Sequence, residues 1–464
     1  MYNPNLHFHF VGIGGTGMSG IAEILLNSGF KVSGSDLKMS PVVSRLVELG
    51  AEVQLGHTAE HLPEDASLLV YSSAVSLNNP ELEEARKRDI PIVRRAEVLA
   101  ELMRLKYGVA VAGSHGKTTT TSLLSAILEA AKFDPTVIIG GQVKSHGSGG
   151  KLGKSDFLIA ESDESDRSFL LLKPTIAVIT NIDEEHMEAY ESLEDLEDSF
   201  EEFANAVPFY GLAVFCIDDE KTARIANEYK RRKITYGFTQ AADLRAANIR
   251  HSWGKTSFNV FEKGELIAEI TLPIPGEHIV LNSLAAIAVA REFGIKADVI
   301  ADSLASFTGV GRRLEVVGVE AGVTVINDYG HHPTEIKATI SAIKQGWPDS
   351  KGKLHVVFQP HRYSRTKSCF VDFINSFSGC DNLIMTEIYS AGEDAIEGVT
   401  GKSLLDGTQH DSKRFVENPE DVLPELLSEV QAGDFVLCLG AGSIGSLPIF
   451  LIEALKSISV KEAI

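Results

Sequence analysis

Residues 112–121 read AGSHGKTTTT. A lysine followed by threonines behind a glycine turn is the material of a phosphate cradle. Backbone N–H groups can line a concave nest, Lys117 can reach the β- and γ-phosphates of a nucleotide, and the Thr118 hydroxyl can meet Mg²⁺. The stretch follows the apolar run 108–111 and precedes a helical pattern, the strand–turn–helix setting that such a loop needs. The common spacing G-x-x-x-x-G-K-[ST] would put glycine at 111, where the chain has Val111. The loop of Gly113, Ser114, His115, Gly116, Lys117, Thr118 and Thr119 is therefore expected to be shorter or differently wound. Two apolar runs further on close on polar clusters, FLIAESDESD on Glu161 and AVITNIDEEHM on His186. An acid after a buried strand is a metal-side partner for a phosphate loop. Taken alone, His186 would be a capping or surface histidine; beside Glu161 and Thr118 it reads as a further Mg²⁺ ligand.

A second turn, HFVGIGGTGMSGIAEILL, carries Gly12, Gly14 and Gly17 in G-x-G-x-x-G register between a strand and a helix. Its glycines allow a tight turn and close backbone approach, so that a diphosphate can rest on the helix N-terminus. By itself this motif suggests NAD, with Asp36 at the end of the next strand on a ribose hydroxyl; its ligand-free alternative is a close strand-to-helix contact. A third turn, DFVLCLGAGSIG, has Gly440, Gly442 and Gly445 in the same register. Too little chain follows it for a further strand bearing a ribose-binding acid, so helix packing or the shaping of a cleft is expected there. A hydride-transfer enzyme explains the first motif and leaves the phosphate loop unused. A plain ATPase or nucleotide-binding regulator does the reverse. An ATP-driven ligase acting on a nucleotide-linked substrate uses both.

The elements that must carry these turns alternate strand and helix nearly throughout, the pattern of parallel sheets with crossover helices. With 464 residues and about 100–200 residues per domain, about three domains are expected. We divide the chain into 1–105, 106–309 and 310–464. The first is a Rossmann-like α/β domain and the second a P-loop ATPase-like domain with an added small antiparallel sheet over 243–272. The third is again Rossmann-like, with glycines at 309 and 311 marking a hinge. The net charge of −21 repels a nucleic-acid backbone, yet leaves room for a small anion held by backbone N–H groups and a few cations. The densest acidic run is 183–202, where Leu193, Leu196, Phe200 and Phe203 are spaced for one buried helix face. No apolar stretch approaches the ~18 residues of a membrane span, and the N-terminus lacks an export-signal pattern. A cytoplasmic protein is expected. Cys216, Cys369, Cys380 and Cys438 lack metal-binding or disulfide spacing and are expected to be buried.

The segments HFVGIGGTGMSGIAEILL, SGSD, YSSAV, AGSHGKTTTT, ESDESD, TNIDEEHMEAY, GVGRRLE, NDYGHHPTEI, FQPHRYSRT and LGAGSIG, in this order from residue 7 to 445, resemble the Mur ligases. The family's G-[ST]-x-G-K-T loop accounts for Val111. The G-I-G-G-x-G-M form of the first turn is similar to the branch that adds L-alanine to UDP-N-acetylmuramate; a sister branch adds a tripeptide to the same sugar nucleotide. The resemblance implies that ATP activates the lactyl carboxylate as an acyl phosphate, which the amine of L-alanine then attacks. It implies that Gly14, Gly15, Thr16, Gly17, Met18 and Ser73 hold the UDP diphosphate, with Asp36 and His57 at the uridine or simply on the surface. The phosphate loop takes ATP with Lys117 as its cation, and Thr118, Glu161 and His186 hold Mg²⁺. Arg313 and Asp328 are implied to join the ATP site, and His332, Arg362 and Arg365 to orient alanine and the acyl phosphate. In PGEHIVLN, Ile279 stands where the family usually has asparagine, leaving the adenine contact to Asn282 or His278. Glu185 replaces the aspartate that commonly precedes the histidine. Lys173 matches no modified-lysine motif and is read as surface. A monomer or weak homodimer is expected.

Overall fold

The computed structural model describes residues 5–15, 17–72, 74–143 and 148–462. The chain divides into two compact units. Unit 1 comprises Met1–Asn248, Phe258–Thr271 and Ile279–Thr308; unit 2 comprises Ile249–Ser257, Leu272–His278 and Gly309–Ile464.

Unit 1 begins with strands β1 (His7–Val11), β2 (Lys31–Asp36), β3 (Glu52–Leu55), β4 (Leu68–Tyr71) and β5 (Ile92–Arg94), in sheet order β3-β2-β1-β4-β5. All four pairings are parallel. A parallel sheet needs cover on both faces, and every residue of β1 is buried. The registers Val11↔Ser35, Val11↔Tyr71 and Asp36↔Leu55 bring the strand ends to one edge. The order reverses between β1 and β4, which opens a crevice above that edge. The glycine turn after β1 lies there, at the start of the helix Met18–Asn27.

The second sheet is built from β6 (Tyr107–Ala112), β7 (Thr136–Val143), β8 (Ser148–Lys151), β9 (Phe157–Glu161), β10 (Ile176–Ile179), β11 (Leu212–Cys216), β12 (Lys233–Gly237), β13 (Leu244–Ser252), β14 (Lys255–Glu262) and β15 (Glu265–Leu272). Its order is β15-β14-β13-β12-β11-β10-β6-β9-β7-β8. The centre, β9-β6-β10-β11, is parallel. The expected small antiparallel sheet is not separate: β13 joins β12 in parallel through Tyr236↔Leu244 and Gly237↔Arg245, so β13 to β15 extend the central sheet. Two-residue turns link these strands, with positive φ at Trp253 and Gly254 and at Lys263 and Gly264, the conformation that matches strand twist in tight hairpins.

Unit 2 carries β16 (Glu315–Glu320), β17 (Val323–Asp328), β18 (Leu354–Phe358), β19 (Asn382–Met385), β20 (Lys413–Phe415) and β21 (Phe435–Leu439), in order β16-β17-β21-β18-β19-β20. Only β16 among these runs antiparallel to its neighbour. The third glycine turn follows β21, as the sequence places it.

The acidic run forms the helix Leu193–Asn205, capped by Ser192 Oγ, which accepts from Asp195 N at 3.2 Å. Leu196, Phe200 and Phe203 are fully buried, and Phe169 meets both phenylalanines at ring separations of 5.1 and 5.2 Å. Three cysteines are buried as expected, but Cys369 is partly exposed. It sits between two short helices, Tyr363–Ser368 and Phe370–Ile374, where one turn of chain cannot enclose it. Among the described residues, no helix is long and apolar enough to cross a membrane. Phe200→Ala should destabilise unit 1 by about 3–5 kcal/mol through the cavity it leaves, read as a lower urea midpoint. Glu202→Gln on the exposed face should stay within about 0.5 kcal/mol; equal effects from the two would contradict this packing.

Candidate active site

The phosphate loop leaves β6 and enters the helix Lys117–Ala130 at Gly116, whose φ is 83°. A Cβ at Gly113 would lie 2.0 Å from Thr180 Oγ1, and one at Gly116 would lie 2.3 Å from Asn282 Oδ1. Neither position tolerates a side chain, so the loop can press against the end of β10 and against Asn282. The segment after β10 stitches it in place. Ser114 N donates to Asn181 O at 3.0 Å, His115 N to Asn181 Oδ1 at 2.8 Å, and Asp183 N to Ser114 Oγ at 2.8 Å. His115 Nε2 lies 2.9 Å from Asp183 Oδ2. Thr180 Oγ1 and Asn181 Nδ2 both donate to His115 O. With its own polar atoms so engaged, the loop is held in shape before any anion arrives.

Thr118 Oγ1 donates to Glu161 at 3.0 and 3.1 Å, so the hydroxyl and the carboxylate meet at the helix start. Glu161 also accepts from Gly140 N at 2.7 Å. A hydroxyl paired with a carboxylate is the hard oxygen set that Mg²⁺ takes. Lys117 Nζ donates to Gly113 O at 2.5 Å, Ser114 O at 3.0 Å and Glu164 Oε1 at 2.7 Å. Burial works against the Lys117 charge, but Glu164 and Glu161 outweigh it and hold the ammonium above the usual lysine range. His186 has positive φ and lies within electrostatic reach of Glu164. Its Nε2 is 3.7 Å from Glu185 and its Nδ1 3.8 Å from Glu188. Thr119 is buried in the helix, and Lys173 is exposed. Ile279 is buried.

At the first turn, Gly12 N and Ile13 N donate to Ser35 O, and Gly15 N to Gly12 O. Asp36 braces the turn by accepting from Gly14 N at 2.9 Å. Gly17, with φ 78°, begins the helix, and Met18 is fully buried behind it. Thr16 and Ser73 lie outside the described residues. His57 follows β3, its Nδ1 within 2.9 Å of both Ser35 Oγ and Glu81 Oε1. Arg95 connects the first glycine turn to the segment that follows β9. Its Nη1 lies 3.0 Å from where a Gly17 Cβ would stand, and its Nη2 donates to Asp163 of ESDESD at 3.0 Å.

In unit 2, Asp328 is buried and its oxygens take Leu314 N at 2.6 Å and Gly330 N at 2.7 Å. Burial pushes its carboxyl up, opposed by Arg313. Arg312 and Arg313 both lie over the Tyr329 ring at 4.9 Å, and Arg313 Nη1 is 3.7 Å from Glu335. His332 is buried at the start of the helix Pro333–Gly346, its Nε2 3.7 Å from Cys369 Sγ. Arg365 Nη1 lies 3.3 Å from His361 Nδ1, and Arg362 Nε 4.0 Å from Glu393. His361 stacks on Tyr389; burial, then His331, Arg365, Arg362 and Arg312, push its imidazole down to about 3. His278, also in this unit, is pushed down to about 4 by burial. The third glycine turn shapes this cluster, since a Cβ at Gly445 would lie 2.6 Å from Arg312 Cζ and one at Gly442 2.4 Å from Gln359 Oε1.

Sequence reasoning missed Glu164, Asn181, Arg95 and Arg312. Glu164 and Asn181 stand inside the motifs quoted for other residues, and Arg312 adjoins Arg313, so position within a motif was the available signal. Arg95 carried none, because its partner is 68 residues away.

Residues 7–107 match the Mur ligase family catalytic domain, 111–290 the Mur ligase middle domain and 312–442 the Mur ligase glutamate ligase domain. The UDP-N-acetylmuramate–L-alanine ligase of Geotalea daltonii is 52% identical over 459 residues, 98% of this chain and 99% of that protein. Among solved structures, the UDP-N-acetylmuramate–alanine ligase of Thermotoga maritima has a TM-score of 0.84 at 29% identity, over 98% of this chain and 100% of that one. A murein peptide ligase from Psychrobacter arcticus has a TM-score of 0.73 at 22% identity, over 97% and 99%, and shares the fold. Three matched domains in chain order, together with a relative 52% identical across nearly the whole length, mean that this chain belongs to the Mur ligase family.

Proposed function

We propose that the protein joins L-alanine to the lactyl carboxylate of UDP-N-acetylmuramate, with conversion of ATP to ADP and phosphate, as a cytoplasmic step of peptidoglycan precursor synthesis. The observation that carries this reading is the presence of two phosphate-binding motifs in one compact unit, one of them with a buried cation and a Thr–Glu oxygen pair. An amine does not displace oxide from a carboxylate, so the carboxylate must first gain a leaving group. The substrate carboxylate oxygen attacks the γ-phosphorus of ATP and ADP departs, leaving an acyl phosphate. The alanine amine then attacks the carbonyl carbon, phosphate departs, the nitrogen loses its proton and an amide remains.

Catalysis of the first step is positioning and neutralisation of charge. Lys117, already aimed across the loop mouth by Glu164, supplies a fixed cation for the β- and γ-phosphates. Gly113, Ser114, His115, Gly116 and Thr119 form the cradle, with Asn282 against Gly116. Thr118 and Glu161 would hold the Mg²⁺ of ATP and His186 a second ion, which would offset phosphate charge as the two anions approach. Gly14, Gly15 and Gly17, backed by Met18, suit the diphosphate of the sugar nucleotide. Asp36 shapes that turn through Gly14 N, with Thr16, Ser73 and His57 assigned to the same ligand. In unit 2 the planar guanidinium groups of Arg362 and Arg365 suit a carboxylate in a two-point grip that lysine cannot make. His332 is assigned with them to the amino acid and the acyl phosphate, and Arg313 with Asp328 to ATP.

Incubation with ATP, Mg²⁺ and UDP-N-acetylmuramate should release phosphate and raise the sugar-nucleotide mass by one alanyl residue with L-alanine. No phosphate with L-alanine, or equal turnover with the tripeptide, would overturn the assignment in favour of another ligase activity. Lys117→Met should lower kcat on the order of 10²- to 10³-fold, the cost of one preorganised charge; a near-normal kcat would remove Lys117 from the chemistry. His186→Ala should raise the Mg²⁺ concentration needed for half-maximal rate, and an unchanged Mg²⁺ dependence would refute its metal role.

A further inference from the structure

Beneath the sugar-nucleotide turn, unit 1 buries a polar chain that the reaction does not require. Glu81 has no exposed surface, yet it belongs to the first turn of the helix Pro80–Lys87 and its N–H donates to Asn79 Oδ1. Its Oε2 lies 2.7 Å from His9 Nε2, and its Oε1 accepts from Ser35 Oγ at 2.7 Å and lies 2.9 Å from His57 Nδ1. His9 Nδ1 in turn is 2.8 Å from Ser33 Oγ, which is 2.8 Å from His7 Nε2. The chain reaches the surface at Asp65, 2.9 Å from His7 Nδ1 and bound to Lys31. Burial raises the Glu81 carboxyl, but the hydrogen bonds from His9, Ser35 and His57 outweigh it and hold it below the usual range.

This arrangement dictates where one proton sits. An ionised carboxylate only accepts, so His57 must present an N–H to Glu81. Ser35 has a single hydroxyl proton and donates it to Glu81 Oε1, so Ser35 Oγ can only accept from His57 Nδ1. Both neighbours of Nδ1 therefore demand a donor. In neutral His57 the proton is on Nδ1 and Nε2 is a bare acceptor, with no hydrogen-bond partner among the described residues. The histidine is only 19% exposed. Ser35 links this tautomer to the ligand turn, because its carbonyl accepts from Gly12 N and Ile13 N.

We propose that Glu81 is a positioning residue that locks His57 as the Nδ1–H tautomer, so that Nε2 accepts the ring N–H of a uracil base and rejects a cytosine, whose matching ring nitrogen is an acceptor. This rests on the reading that the first turn binds a uridine diphosphate sugar. Glu81 touches no substrate; it acts through His57, and the buried His9–Ser33–His7 chain keeps its second oxygen occupied.

The test is nitrogen NMR of the full-length, ligand-free protein labelled with ¹⁵N-histidine, the His57 signals being those lost in His57→Ala. The wild type should show a protonated Nδ1 and an unprotonated Nε2; the opposite tautomer would overturn the proposal. Glu81→Gln, whose amide can donate to Nδ1, should shift His57 towards Nε2–H, and Glu81→Asp should keep the native tautomer. In steady-state assays Glu81→Gln should raise KM for UDP-N-acetylmuramate roughly ten- to a hundredfold. KM for ATP and saturating kcat should stay unchanged, and the preference over the cytidine analogue should narrow. A flipped tautomer with unchanged KM and unchanged preference would overturn the specificity role. If His57→Ala leaves KM for the sugar nucleotide unchanged while the wild-type tautomer is as stated, the uridine reading of His57 fails and the Glu81 lock stands.

Discussion

The approach of a bare backbone to its neighbours at Gly113 and Gly116 is the contact on which the rest of the site depends. A single methyl group at either position would collide with Thr180 or Asn282. Because both are glycine, the end of β6 can lie against the segment that follows β10 and against the helix Glu277–Glu292. That closeness brings Asn181, Asp183 and Glu161 into hydrogen-bond range of a loop many residues away. The parallel registers of β6 with β9 and β10 serve the same end, since they deliver Glu161 and Thr180 to the loop from both sides.

An acidic protein that handles polyanions must reserve its cations. Two of those near the phosphate motifs of unit 1 are held by carboxylates: Lys117 by Glu164 and Arg95 by Asp163. Two cationic groups in a protein of net charge −21 are thereby kept in place rather than free to sample solvent. Such fixed charge acts on a ligand without reorganising at the moment of reaction, the condition under which electrostatic stabilisation is most effective. Glu81 applies the same economy to a hydrogen atom, fixing where His57 carries it.

Unit 2 solves a different problem with the same device. The turn Gly440–Gly445 reads like a nucleotide motif, but a Cβ at Gly442 or Gly445 would strike Gln359 or Arg312. Its glycines make room for side chains of its own unit. Arg312 and Arg313 share the face of Tyr329, and Arg362 and Arg365 stand near His361, which burial and these cations keep neutral. A concentration of guanidinium groups beside a neutral imidazole has the chemistry that suits an anion, and the packing that creates it is invisible in the spacing of its members.

The sequence by itself determined the alternating α/β architecture, the glycine turns and the elements they interrupt, because hydrophobic periodicity and glycine placement are local properties. It also disclosed the Lys117–Thr118 pair and the acid ending β9. Tertiary structure alone decided that β13 to β15 extend the central sheet, since edge pairing to β12 depends on which strand edge remains open. It alone showed Cys369 partly exposed. Above all, it decided which group each buried carboxylate meets: Asp36 with Gly14 N, Glu164 with Lys117, Glu81 with His9 and His57. These partners are separated by 22 to 72 residues, and no local pattern encodes a contact that only the folding of several strands into one sheet can bring about.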